Sequence, residues 1–183
     1  MAEDSDDGPL GTVTAAVEIA VEIALDLRAP AWTLALPDAE AICERAVEAA
    51  YAAADLPAGE ISLVLADDAF IRTLNREHRG KDSATDVLSF PQIDDSEKGA
   101  AGAGPVLLGD VVVAYETAAR DAQAAGVTLA HHLAHLVIHG ALHLAGHDHE
   151  EEREAEVMET LERDALARLG IADPYGATMR AAE

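Results

Sequence analysis

The sequence predicts an α/β (α+β) fold, a single mixed four-stranded sheet packed by five or six helices. Three observations predict it. Four short apolar runs have strand character, helical patterns lie before, between and after them, and the strands all fall in the first two-thirds of the chain. With 183 residues and half of them apolar, the chain is of a size for one domain with a well-filled core.

Taken in order, residues 1–9 carry four Asp or Glu and end in Gly-Pro, the composition of a disordered acidic tail. From Val17 to Leu27 apolar residues alternate with Glu18, Glu22 and Asp26, which is strand periodicity despite the glutamates. Pro37-Asp38 opens a helix to Ala54, with Asp38 as N-cap and Ile42, Ala46 and Ala49 on one stripe. Ile61 to Leu65 reads as a buried strand. Asp67 or Asp68 caps a short helix that stops at Arg79-Gly80, and Val87 to Phe90 is a strand closed by Pro91. Asp94 to Pro105 reads as a surface loop. Val106 to Ala114 is the fourth strand, Glu116 to Ala125 a helix, and Thr128 caps the helix that follows. A last amphipathic helix runs from Glu150 to Leu169, with Val157, Leu161, Leu166 and Leu169 inward and Gly170 as its stop. The domain reading is an acidic tail over 1–9, one domain over 10–175 and a short tail over 176–183.

Twelve Lys and Arg against 35 Asp and Glu leave a net charge of −23, which opposes binding to any polyanion unless cations cluster locally. Arg72, Arg76, Arg79 and Lys81 form such a cluster. Cys43, alone in an alanine-rich helical pattern, reads as a small core residue rather than a nucleophile. No apolar run approaches the roughly 20 residues of a membrane span, and the first residues are acidic where a secretory signal is basic. The expectation is a cytoplasmic protein with no membrane association.

The most informative stretch is His139-Gly140-Ala141-Leu142-His143-Leu144-Ala145-Gly146-His147-Asp148-His149. His139 and His143, one helical turn apart, project from one face; Gly146 ends the helix and turns the chain back, returning His149 toward them. Three neutral nitrogen donors with a fourth position open describe a catalytic zinc site, and nickel or copper also suits nitrogen-only ligation. The spacing His-x3-His-x2-Gly-x2-His makes this a metzincin-like zinc helix. That motif carries a glutamate after its first histidine as the base for peptide hydrolysis; here the position is Gly140, which disfavours a peptidase. His147 ranks below His149 as a ligand because it leaves one residue in which to reverse direction. His135, a turn before His139, reads either as a positioning or substrate-binding group or as helix surface. His131 and His132 read as helix surface. Asp148 reads either as an orienting or basic carboxylate or as a local turn acceptor.

The segment Leu74 to Pro91 concentrates cations and hydroxyls before a strand. Arginine presents a planar fork of donors matched to phosphate, so Arg79 is the candidate catalytic phosphate clamp, with Lys81 and Arg76 as helpers.

Three segments, Arg79-Gly80-Lys81 through Thr85-Asp86-Val87-Leu88-Ser89-Phe90-Pro91, then Leu108-Gly109-Asp110-Val111, then His139 to His149, together resemble the YbeY metallo-endoribonucleases, also called ribosomal RNA maturation factors. The resemblance spans about Glu60 to Gly170. It implies a small α/β fold, zinc (Zn2+) held by His139, His143 and His149, and an arginine matching Arg79 that RNA cleavage requires. It also implies single-stranded RNA as substrate, maturation of the small-subunit ribosomal RNA 3′ end, ribosome quality control and the ribosome small subunit as partner, with no DNA. Two other readings share the histidines: a metal-dependent hydrolase of a peptide or small amide, and a non-catalytic ribosome-assembly factor whose zinc only staples the turn.

Overall fold

The computed structural model describes residues 21–54, 58–92 and 107–176. The acidic tail over 1–9, the start of the first strand over 17–20, the loop over 94–105, Val106 and the last residues from 177 lie outside them.

Among the described residues four strands, β1 (Val21–Leu27), β2 (Gly59–Ala66), β3 (Val87–Pro91) and β4 (Leu107–Ala114), form one mixed sheet in the order β1-β2-β4-β3. β1, β2 and β4 run parallel and β3 is antiparallel to β4. The alternation read from the sequence is visible in β1, where Val21, Ile23 and Leu25 are half-buried and Glu22, Ala24 and Asp26 exposed. At the start of β4 the register slips: Glu60 pairs with Leu107 and Ile61 with Gly109, so Leu108 is an inserted bulge residue. Gly109 has φ +142°, and a Cβ there would overlap the Phe90 carbonyl and come within 2.9 Å of Leu144. The bulge therefore needs glycine both for its backbone and for the helix end that lies on it.

Among the described residues six helices accompany the sheet: α1 (Pro30–Ala35), α2 (Ala39–Ala54), α3 (Asp68–Arg79), α4 (Tyr115–Ala125), α5 (Leu129–Leu144) and α6 (Glu152–Arg168). α1 is a short turn that periodicity does not signal. Pro30 starts it, and the buried Trp32 fixes it by donating Nε1–H to the Ala66 carbonyl at 3.0 Å. Asp67 accepts from Phe70 N at 2.8 Å and Thr128 from His131 N at 3.2 Å, side-chain caps worth about 1 kcal/mol each.

The helices divide unequally over the sheet. α2, α5 and α6 pack with Ile61, Leu63, Leu65, Val111 and Val113, while α3 covers the opposite face over Leu88, Val112 and Ala114. Ile42, Ala46 and Ala49 face the core as their spacing predicts, and Cys43 is fully buried, its thiol pushed up to about 12 by burial with Glu44 and Glu40 adding to it. The inward stripe of α6 differs from the expectation. Leu166 is buried and Leu161 and Leu169 half-buried, but Val157 is 49% exposed, and Met158, Glu162 and Ala165 face inward. Counting apolar residues puts a glutamate outside; this one is admitted because three donors meet it.

Candidate metal centre

α5 is pressed onto β3 and β4 at Gly140, where a Cβ would lie 2.5 and 2.9 Å from the Val111 methyls and 3.2 Å from Ser89 Oγ. The helix can approach this closely only because the residue after His139 has no side chain. A glutamate at this position, as in a metzincin, would collide with the sheet.

One turn along α5, His139 and His143 bring their Nε2 atoms to 3.1 Å. Their other nitrogens are already engaged. His139 Nδ1 lies 2.6 Å from Glu162 Oε1, and His143 Nδ1 lies 2.9 Å from the His147 carbonyl. Carboxylate and carbonyl only accept, so each Nδ1 carries a proton, and in the neutral ring Nε2 presents a lone pair. Two lone pairs facing at 3.1 Å repel unless a cation lies between them. Past α5, Gly146 takes φ +92°, Gly146 N and His147 N bond back to the carbonyls of His143 and Leu142, and the chain reverses. The reversal sets the His149 ring 5.5 Å from that of His139 and 5.0 Å from that of His143. One ligand atom from each of the three rings lies within 4.8 Å of the others. Burial, with His139 beside it, pushes the His143 imidazolium down to about 4, so near neutral pH the ring is an uncharged donor. The donor set and its spacing fit one nitrogen-ligated metal ion.

Behind the rings stands Glu162, 1% exposed. It meets His139 Nδ1, His135 Nε2 at 3.3 Å and the hydroxyl of Tyr175. Burial raises its carboxyl, but the three hydrogen bonds outweigh that and hold it well below the usual carboxylate range. Tyr175 is pushed the other way, by burial and by the hydrogen bond it donates. A carboxylate behind a ligating imidazole fixes its tautomer and raises its basicity. Sequence reasoning missed both residues; the available signal was a Glu inside the i, i+4, i+7 stripe Met158, Glu162, Ala165.

The histidines form one wall of a cleft of ≈ 750 Å³ whose other wall includes Arg79, Thr85 and Ser89. Arg79 ends α3, and Gly80, with φ +69°, turns the chain toward β3. The turn is pinned from below by Asn75, which is buried and donates to the Ser83 carbonyl at 2.8 Å, while its own carbonyl accepts from Lys81 N at 3.2 Å. The helpers expected for Arg79 are elsewhere. Arg72 bonds Asp82 through two nitrogens at 2.8 and 2.9 Å, Arg76 lies 4.0 Å from the same carboxylate, and neither they nor Lys81 line the cleft. Asp82, within the basic run itself, engages Arg72 and Arg76 and so offsets part of the cluster that the linear sequence suggests. Asp148 lines the cleft but accepts from its neighbour His149 N at 2.7 Å, the local turn acceptor of the two readings. His147 contributes its carbonyl, His135 turns to Glu162, and His132 is half-buried rather than a surface group.

The family model described as Endoribonuclease YbeY matches residues 31–170. The chain is 54% identical over 160 residues to the Endoribonuclease YbeY of Paramagnetospirillum magneticum, covering 86% of this chain and 98% of that protein. It is 48% identical over 164 residues to the Endoribonuclease YbeY of Rhodospirillum rubrum, covering 85% and 82%. The solution structure of TM1509 from Thermotoga maritima matches at 24% identity with a TM-score of 0.49, over 81% of this chain and 91% of that one.

Proposed function

The chain belongs to the Endoribonuclease YbeY family, and from that premise we propose that His139, His143 and His149 hold one catalytic zinc ion opposite the phosphate-clamping Arg79. The protein is an endoribonuclease, a hydrolase of RNA phosphodiester bonds. Single-stranded RNA is the proposed substrate form, the small-subunit ribosomal RNA 3′ end the proposed target, and the ribosome small subunit in the cytoplasm the proposed setting, with ribosome quality control as the associated role. No helix among the described residues is long and apolar enough to cross a membrane. We assign 10–175 to a single hydrolase domain, with 1–9 and 176–183 as tails.

The observation that carries the site reading is the pair of Nε2 lone pairs at 3.1 Å, both rings oriented by acceptors on their far side. A bound zinc ion supplies Lewis-acid polarisation of a phosphate oxygen. Arg79, exposed at the end of α3, supplies donors for the non-bridging oxygens of the phosphate to be cut. Glu162 keeps His139 in the tautomer that leaves Nε2 free, and the His147 carbonyl does the same for His143. Gly140, held against Val111, leaves no room for the base of a metzincin peptidase, which weighs against the peptide or small-amide hydrolase.

The test couples elemental analysis of the purified protein to cleavage of a single-stranded RNA with and without chelator. Zinc near one ion per chain, cleavage lost on chelation and restored by one equivalent of zinc, is the expected result. Cleavage indifferent to chelator overturns the catalytic-metal reading, and a preparation restored only by nickel or copper overturns the choice of zinc.

A further inference from the structure

A second convergence of ligand-type atoms lies further back along α5. Asp86 precedes β3, Asp121 lies on α4 and His132 is in the first turn of α5; one ligand atom from each lies within 4.8 Å of the others, and all three residues are half-buried. The framework holds them there. Ala114 N donates to the Asp86 carbonyl at 2.9 Å, and α4 springs directly from Ala114, so β3, β4 and α4 are tied at this point. The Asp86 carboxylate is oriented by Thr85 Oγ1 at 3.1 Å and Val87 N at 2.9 Å.

The telling atom is His132 Nε2, which is buried and has no hydrogen-bond partner although two carboxylates stand close by. His135 and His139, on the same helix, reach their carboxylate at 3.3 and 2.6 Å. His132 and its carboxylates instead stand off from one another, and buried polar nitrogens seldom go unpaired. Burial and the nearby His135 push the His132 imidazolium down against the pull of both carboxylates, which leaves a neutral ring facing two anions. Asp121 otherwise touches Arg120 Nε, at 3.6 Å in an exposed pair.

We propose that Asp86, Asp121 and His132 bind a second divalent cation, of the Mn2+ type. Two carboxylate oxygens with one imidazole nitrogen form a harder donor set than three imidazoles, one that accepts Mn2+ when that is the cation supplied. Seven residues separate His132 from His139, roughly 10 Å along the helix axis, whereas two-metal catalytic centres hold their ions roughly 4 Å apart. The second ion is therefore not a partner in the bond-breaking step. It clamps α4 to α5 and, because Asp86 also lines the cleft, it cancels negative charge on the wall that holds Arg79.

The full-length protein loaded with one equivalent of zinc is titrated with Mn2+, followed by the paramagnetic resonance signal of the free ion and by calorimetry. The wild type should bind one Mn2+ saturably at submillimolar concentration. Asp121→Asn and His132→Gln should each weaken that binding roughly tenfold or more while keeping the zinc equivalent and the circular dichroism spectrum. Asp121→Asn, at a half-buried position, keeps the test decisive if His132→Gln fails to fold. His149→Ala should lose zinc and retain Mn2+, which separates this site from the histidine centre. Absence of saturable Mn2+ binding in the wild type, retention of it in Asp121→Asn, or its loss in His149→Ala overturns the proposal.

Discussion

On the histidine wall of the cleft the ring nitrogens are committed in advance, through Nδ1 of His139 to a fully buried carboxylate and through Nδ1 of His143 to a backbone carbonyl. Across the cleft Arg79 is exposed and, among the described residues, has no carboxylate partner, while its neighbours Arg72 and Arg76 are taken by Asp82. One wall is prepaid in hydrogen bonds and suits a compact cation, whose ligands must be in place before it arrives. The other wall presents Arg79 with no carboxylate partner among the described residues, which suits a flexible anionic chain because no ion pair there has to be broken first. The same contrast bears on how so acidic a protein acts on RNA: Arg79 lines the cleft with no carboxylate partner among the described residues, while Arg72 and Arg76 share Asp82 away from it.

Separate substitutions on the two walls test this division. His143→Ala removes one of three ligands and should take the metal content from about one ion per chain to near zero, with cleavage lost alongside it. A fully metallated His143→Ala protein would end the three-histidine reading. Arg79→Ala should lower the rate of cleavage by roughly 10²–10³ with metal content unchanged, the size expected when a donor to developing charge is removed. If Arg79→Ala cut RNA as well as the wild type, the phosphate-clamp role would be wrong.

The preparation of the histidine wall can be measured by itself. Glu162→Gln should keep the fold but weaken metal affinity by roughly 10- to 100-fold, because the amide no longer enforces the His139 tautomer. Competition with a coloured chelator gives the constant, and an unchanged value would reduce Glu162 to a packing residue. The smallest effect is in the metal-free protein. Burial and His139 push His143 down to about 4, from the ordinary 6.5, so as pH falls through 6.5 the unfolded chain takes up a proton that the native ring refuses. Stability from this group is present above 6.5 and is lost toward about 4, at somewhat under ~1.4 kcal/mol per pH unit because the ring is partly screened. Urea unfolding in chelator across this range should show a shallower slope for His143→Gln, and equal slopes would break the account.

Much of this is legible in the amino-acid sequence alone. Strand alternation, the Asp67 and Thr128 caps and the Gly80 stop depend on a few neighbouring residues, and each is found where local chemistry puts it. The one-turn spacing of His139 and His143 followed by a turn glycine is likewise local geometry, and the three rings do converge. What was not legible depends on partners far apart in sequence. Glu162 meets His139 from 23 residues away, and Val157 gives up its inward place to the stripe that carries that carboxylate. Likewise Asp82 answers Arg72 across a helix end, which periodicity does not register.

The sequence by itself determined the elements apart from α1, the spacing of the three histidines and the candidate arginine, because these rest on backbone preference and on side chains within a turn of one another. Only the tertiary structure decided which cation stays free, why Gly140 cannot be a glutamate, and which buried acid holds the imidazoles. The last two depend on how closely α5 is pressed to the sheet and to α6, and the first on how the chain after α3 folds Asp82 back onto Arg72, distances that no pattern within a single segment encodes.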